Sequence, residues 1–221
     1  MKPKNPFKPT FGAVPPILAG RDPLIDEFVD AIYDGPGAPG RATLYTGARG
    51  SGKTTLLNEV EDRARQEGWL VVSETADPGL LDRLTQTRLP ALLSQFDPDA
   101  VKRVVSGLGI PVVGGNITWE TLRSYTVKMD LRSQISSLTE LLSENETGLL
   151  LTLDEVHKHQ IDDLRAIAVA IQHAFREDRE VAFVAAGLES SVSELLKGQV
   201  LTFLRRADKH HLGPVSANDV R

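Results

Sequence analysis

Apolar positions recur along this chain in two rhythms. In RDPLIDEFVDAIY, residues 21 to 33, Leu24, Ile25, Phe28, Val29 and Ile32 fall on one stripe. That is the spacing of an amphipathic helix, with Asp22 suited to cap it and Pro23 to its first turn. The same rhythm predicts a helix from Lys53 to about Gln66 that turns Leu56, Leu57, Val60 and Ala64 inward, and another from Ile161 to about Arg176. It returns over 119 to about 144, with Leu131, Ile135, Leu138 and Leu142 on one face, and briefly from Ser190 to Lys197. Residues 78 to 106 read as helical pieces broken at Asp97-Pro98.

The second rhythm is no rhythm at all. ATLYT at 42 to 46, WLVVSET at 69 to 75, LLLTL at 149 to 153 and VAFVAA at 181 to 186 are short and nearly continuously apolar. Such runs, bounded by turn signals, predict strands buried on both faces. HHL at 210 to 212 reads as the last strand. The breaker cluster DGPGAPG at 34 to 40 predicts a loop, and Gly114-Gly115 within GIPVVGGNITWE predicts a hairpin. Trp119 at the base of that hairpin suits either a partner contact or packing. Buried strands alternating with helices predict an α/β fold, a parallel sheet with helices on both faces.

Composition narrows the classes. At 221 residues the chain has room for one well-cored domain. A net charge of -5 argues against clamping nucleic acid by bulk electrostatics, though a local basic face remains compatible with it. The absence of cysteine excludes disulfides and thiol chemistry and fits a cytoplasmic location. No apolar run reaches the roughly 20 residues a membrane span needs, so no membrane association is expected. The opening MKPKNPFKPTFGAVPP lacks the apolar centre of a signal peptide, and its prolines predict an extended arm.

The chemistry is concentrated in GARGSGKT, residues 47 to 54. It follows a predicted strand and opens a predicted helix, the context that the pattern G-x-x-x-x-G-K-[ST] requires. Glycines let successive backbone N–H groups curl around phosphate oxygens, and the helix start adds a positive dipole end. Lys53 brings a charge to the β- and γ-phosphates, and the Thr54 hydroxyl is placed to ligate Mg²⁺. Gly47, Ala48, Arg49, Gly50, Ser51, Gly52, Lys53, Thr54 and Thr55 are therefore the nucleotide-binding candidates; Arg49 either touches phosphate or is simply solvated. LLLTLDE at 149 to 155 supplies the expected acidic strand end. There Asp154 is expected to hold Mg²⁺ and Glu155 to orient and polarise the attacking water. The N-K-x-D stretch that usually accompanies GTP specificity is missing, so ATP or ADP is the expected ligand.

These motifs, with PPILAGRDPLIDEF at 15 to 28, VAFVAAGL at 181 to 188 and FLRRADKHHLGPVSANDV at 203 to 220, resemble the P-loop ATPases of the AAA+ and STAND type, nearest the origin-recognition-like branch. The resemblance covers nearly the whole chain. It implies a three-layer fold with sheet order 5-1-4-3-2 and nucleotide at the carboxyl ends of the strands. It also implies that Val14, Pro15, Ile17, Leu18 and Arg21 border the adenine. Arg205 or Arg206 would sense the γ-phosphate, and Arg206 is the catalytic candidate beside Lys53 and Glu155. The polar sensor that the family often carries after the fourth strand is replaced by Ala185-Ala186-Gly187, so that role is vacant or moves to Glu189 or Ser190.

Pro214 and the helix-start signature Ser216-Ala217-Asn218-Asp219 predict the beginning of a helical lid. The expected organisation is an arm over 1–20, an ATPase core over 21–213 and the start of a lid over 214–221. DEVH at 154 to 157 is similar to a helicase box, but a helicase needs a second domain for which 221 residues leave no room. His157, His159, His210 and His211 have no carboxylate spacing that makes a metal site. Three functions follow: an Mg²⁺-dependent ATPase acting as a switch or motor in a larger chain, a slowly hydrolysing or non-hydrolysing regulatory module, and a DNA-associated initiator or loader. Their partners are nucleotide, a protein partner or a second copy and, by family analogy alone, DNA.

Overall fold

In the computed structural model, residues 20–96, 129–197 and 204–214 are described. Five strands, β1 (Ala42–Gly47), β2 (Leu70–Thr75), β3 (Leu149–Asp154), β4 (Val181–Leu188) and β5 (Asp208–Leu212), form one parallel sheet. Its order is β2-β3-β4-β1-β5, which is the expected 5-1-4-3-2 read from the other edge. The parallel register sets Thr75 beside Asp154 and Gly47 between Leu188 and Leu212. All the carboxyl ends of the strands thus share one rim.

Period-two alternation divides the core into two slabs. Leu150, Ala182, Val184 and Ala186 point to one face and pack with Phe28 of helix α1 (Asp22–Tyr33) and with Leu56, Leu57 and Val60 of α2 (Lys53–Gln66). Leu149, Leu151, Leu153, Phe183 and Ala185 point to the other face. There they meet α3 (Leu80–Arg83), α4 (Leu89–Phe96), α5 (Leu131–Ser143), α6 (Ile161–Arg176) and α7 (Glu189–Lys197). The predicted inward stripe of α5, Leu131, Ile135, Leu138 and Leu142, is buried.

Three local details depart from the pattern reading. Arg21, not Asp22, is the N-cap of α1 and no side chain caps it; Asp22 lies in the first turn, where its charge suits the helix dipole. Trp69 precedes β2, its backbone N–H bonded to Ala64. A π-turn, Leu84–Arg88, joins α3 to α4. Its wider spacing brings Arg83 and Arg88 to one carboxylate, each Nε donating at 2.8 Å to an oxygen of Glu74 at the end of β2.

The amino ends of the strands are closed by Arg41, which is fully buried. Its Nε donates to the Ala31 carbonyl at 2.9 Å, Nη2 to Ile32 at 2.6 Å and Nη1 to Glu180 at 2.5 Å. The guanidinium also lies 5.0 Å from the Trp69 ring. It therefore ties the last turn of α1, the start of β1 and the start of β4 together. The arm with Val14, Pro15, Ile17 and Leu18, the hairpin at 109 to 120 and the lid signature at 216 to 219 lie outside the described residues.

Candidate nucleotide-binding site

The glycine-lysine loop leaves the carboxyl end of β1 and enters α2 at Lys53. Gly52, the N-cap, has φ +86°, a left-handed conformation that a side chain would strain. Gly47 is needed for a different reason: a Cβ there would sit 2.6 Å from Ser51 Oγ and 2.7 Å from the Leu212 carbonyl oxygen. The loop consequently folds tightly over the ends of β1 and β5. Within it Ser51 N–H donates to the Ala48 carbonyl at 3.3 Å.

Lys53 turns back over the loop, its Nζ donating to the Ala48 carbonyl at 2.7 Å and to Gly47 at 3.2 Å. Its ammonium therefore stands within the loop's own curve, bonded to neutral acceptors that a phosphate oxygen can replace with a stronger charge-assisted bond. Thr54 Oγ1 donates to Asp154 Oδ2 at 2.7 Å, so the first turn of α2 meets the end of β3. The other oxygen of Asp154 accepts from the Glu155 N–H at 2.8 Å. A hydroxyl and a carboxylate in contact at a strand end are an oxygen donor set suited to Mg²⁺.

Glu155 is exposed, and its φ of +56° lies in the left-handed region. Outliers of this kind cost about 1–3 kcal/mol and persist when the surroundings impose them. Here the imposing contacts are visible. Val156 N–H donates to the Ala186 carbonyl at 2.9 Å, Val156 itself is buried, and Asp154 holds the Glu155 N–H. The chain must turn sharply between strand end and bond, and Glu155 absorbs the turn.

At the end of β4, Gly187 packs directly on Val156. A Cβ there would lie 2.7 Å from the Val156 carbonyl oxygen and 2.8 Å from its Cγ2. No polar side chain fits at this position. Glu189 and Ser190, one turn further, line a cavity of about 600 Å³ together with Arg49, Gly50 and Ser51 of the loop. The Glu189 carboxylate stands 3.7 Å from His211 Nδ1 across it. Arg21 borders this cavity indirectly, its Nη2 donating at 2.6 Å to the carbonyl of Gly213, a lining residue.

Arg206 is not brought to this site. It lines a separate cavity of about 520 Å³ with Gly40, Gln172, Arg176 and Asp208, at the start of β5. β5 runs parallel to β1, so roughly 13 Å of strand, at about 3.3 Å per residue, separates Arg206's end from the loop. Arg206 therefore stands at the opposite end of β5 from the loop. Arg205 is engaged elsewhere, its Nε bonded to the Leu196 carbonyl at 2.7 Å. Among the described residues no group of three or more histidines and carboxylates is arranged to hold a metal ion.

A family model described as an AAA ATPase domain matches residues 17–184. The chain belongs to the AAA ATPase domain family. Its sequence is 25% identical over 194 residues to ORC1-type DNA replication protein 9 of Haloarcula marismortui, a match covering 85% of this chain and 41% of that protein. Its fold is similar to that of Cdc6p from Pyrobaculum aerophilum, with a TM-score of 0.51, 17% identity, and coverage of 96% of this chain and 50% of that one. The chain spans half or less of these relatives' lengths. Among the described residues, no helix of this AAA ATPase domain is long and apolar enough to cross a membrane.

The sequence reading missed one polar pair behind the site. Glu61 of α2 and Thr152 of β3 are both buried and bonded to each other. The available signal was a glutamate on the apolar stripe of α2 and a threonine inside LLLTL.

Proposed function

We propose that this AAA ATPase domain binds ATP with Mg²⁺ and hydrolyses it, serving as a switch or motor in a larger protein. The observation that carries the reading is the 2.7 Å contact between Thr54 and Asp154, with Glu155 next in the chain. Lys53 and the loop's backbone hold the β- and γ-phosphates, and Thr54 and Asp154 hold the metal. When bound, Mg²⁺ neutralises the charge that builds on the phosphate oxygens. The Glu155 carboxylate accepts a proton from the attacking water, and its forced backbone conformation keeps it beside the metal site. Arg21 is assigned to the adenine side of the site, as the resemblance implies.

The reading is tested by two variants of the chain. Lys53→Ala loses most of the rise in melting temperature that Mg·ATP produces by mass action, while its own stability changes little. Glu155→Gln keeps the affinity for ATP and slows single-turnover hydrolysis by roughly 10² or more. An undiminished ATP-induced rise in the first variant, or undiminished turnover in the second, overturns the assignment.

A specific observation favours a second reading, slow or absent hydrolysis with signalling through shape. The packing of Gly187 on Val156 leaves no room for the usual polar sensor, and Glu189 and Ser190 are one turn away. Wild-type single-turnover rates decide between the two. Association with DNA rests on the names of the relatives and calls for salt-dependent DNA binding by the whole protein. An arginine at Arg206's end of the sheet reaches only a nucleotide held by a second copy, which makes self-association part of the proposal.

A further inference from the structure

Leu150, Thr152 and Asp154 share the face of β3 that receives α2. Thr152 is fully buried, and Glu61, 5% exposed, lies opposite it on the apolar stripe of the helix. The Thr152 hydroxyl donates to Glu61 Oε1 at 2.5 Å, and Arg65 reaches the other oxygen at 3.0 Å. An apolar pair of similar size would fill this space without the cost of burying a carboxylate. The polar pair must then do something an apolar pair does not.

Its place along the helix shows what that is. α2 touches β3 through two directional bonds, Thr54 to Asp154 at its first turn and Glu61 to Thr152 two turns on. Seven helical residues span about 10.5 Å, and two strand residues about 6.6 Å. Two fixed points on each element set both the slide and the rotation of the helix against the strand. The remaining contacts, Leu56, Leu57 and Val60 against Leu150 and β4, are apolar and non-directional, so they tolerate a small slip. A slip of one residue rotates the helix by about 100° and carries Thr54 away from Asp154. The two bonds also differ in permanence. Thr54 and Asp154 must loosen their mutual bond to take a cation, whereas Glu61 and Thr152 lie in the core and keep theirs.

We propose that Glu61 and Thr152 are positioning residues for the metal site: their buried bond holds α2 in register on β3 while Thr54 and Asp154 exchange each other for Mg²⁺. This rests on the Mg·ATP reading given above. It predicts a dissociation between stability and metal response. In Glu61→Met/Thr152→Val the core is apolar and filled, and the melting temperature stays at the wild-type value. The affinity for ATP in EDTA, which depends on the loop and Lys53, stays as well. The gain in ATP affinity on adding Mg²⁺ falls by about tenfold, the scale on which groups behind a metal site act. Thr152→Ser keeps the hydroxyl and restores the wild-type gain.

The measurement is titration calorimetry of ATP with Mg²⁺ and with EDTA, for the wild-type chain and these two variants. A double variant that keeps the full Mg²⁺ gain overturns the proposal. So does one that fails to fold, since the pair would then be a requirement of the core. A wild-type chain that binds no ATP in either buffer removes the ATP reading and this inference with it, whereas ATP binding with an unaltered Mg²⁺ gain in the double variant removes the inference alone.

Discussion

The two ends of the sheet are built from similar residue types and are used differently. At the amino ends, polar groups are saturated by the protein itself. Arg41 spends three bonds and its ring face on α1, β4 and Trp69. Asp208 receives the Gly40 N–H, and Glu177 is held between Arg132 and Arg179. At the carboxyl ends around the loop, polar groups hold partners that a ligand can replace: Lys53 its own loop carbonyls, Thr54 the Asp154 carboxylate, Asp154 the next N–H. Glu155 there is held at positive φ, as are Glu146 and Asp178 in the turns at the amino ends, so backbone strain does not separate the two ends. Saturated ends stabilise. Ends whose polar groups hold replaceable partners can exchange them when a ligand arrives.

The contrast is broken most directly at Arg41. Arg41→Ala strands two buried helix carbonyls and the Glu180 carboxylate, and should cost about 3 kcal/mol in denaturant unfolding. ATP affinity per folded molecule should be unchanged. If affinity fell with stability, the two ends would not be separable.

Glu155→Gly sharpens it from the other side. Glycine adopts the left-handed conformation freely, so this variant should be more stable than wild type by about 1 kcal/mol while hydrolysis is lost. Thermal melts and single-turnover assays on the same preparation test the trade. A less stable Glu155→Gly would mean that the φ of Glu155 stores no strain.

The smallest effect concerns pH at the amino end. Arg179 and Arg132 hold the Glu177 carboxyl down at about 2, against an ordinary 4.5. A depressed acid stabilises the fold fully above its ordinary value and loses that contribution as pH falls from about 4.5 towards 2. Glu177→Gln should therefore narrow the difference in melting temperature between about pH 6 and about pH 3. An identical pH dependence would show that these bonds do not form in solution.

Much of the architecture was legible because it depends on local periodicity. The helices at Lys53 and Ile161, the strand cores and the loop between β1 and α2 all follow from spacing and from glycine chemistry. The strand ends were harder to place: β4 runs to Leu188, two residues past its continuous apolar core, because Gly187 allows close packing on Val156. The π-turn at Leu84–Arg88 has no periodic signature and is held by Glu74, a residue nine to fourteen positions away.

The site divides along the same line. Residue types and order in GARGSGKT and LLLTLDE pointed, from the chain alone, to a candidate phosphate cradle and a candidate metal-binding strand end, because each needs only a short contiguous segment. Distances through space were decided by the tertiary structure. Thr54 and Asp154 are 100 positions apart and meet because α2 and β3 pack on one face. Arg206 lies only six positions before Leu212 at the loop, yet a parallel strand carries the two to opposite rims of the sheet. Glu61 and Thr152 look in the sequence like flaws in two apolar stripes; packed against each other, they become a bond that neither segment could specify, since a buried carboxylate is tolerable only where another element brings it a donor.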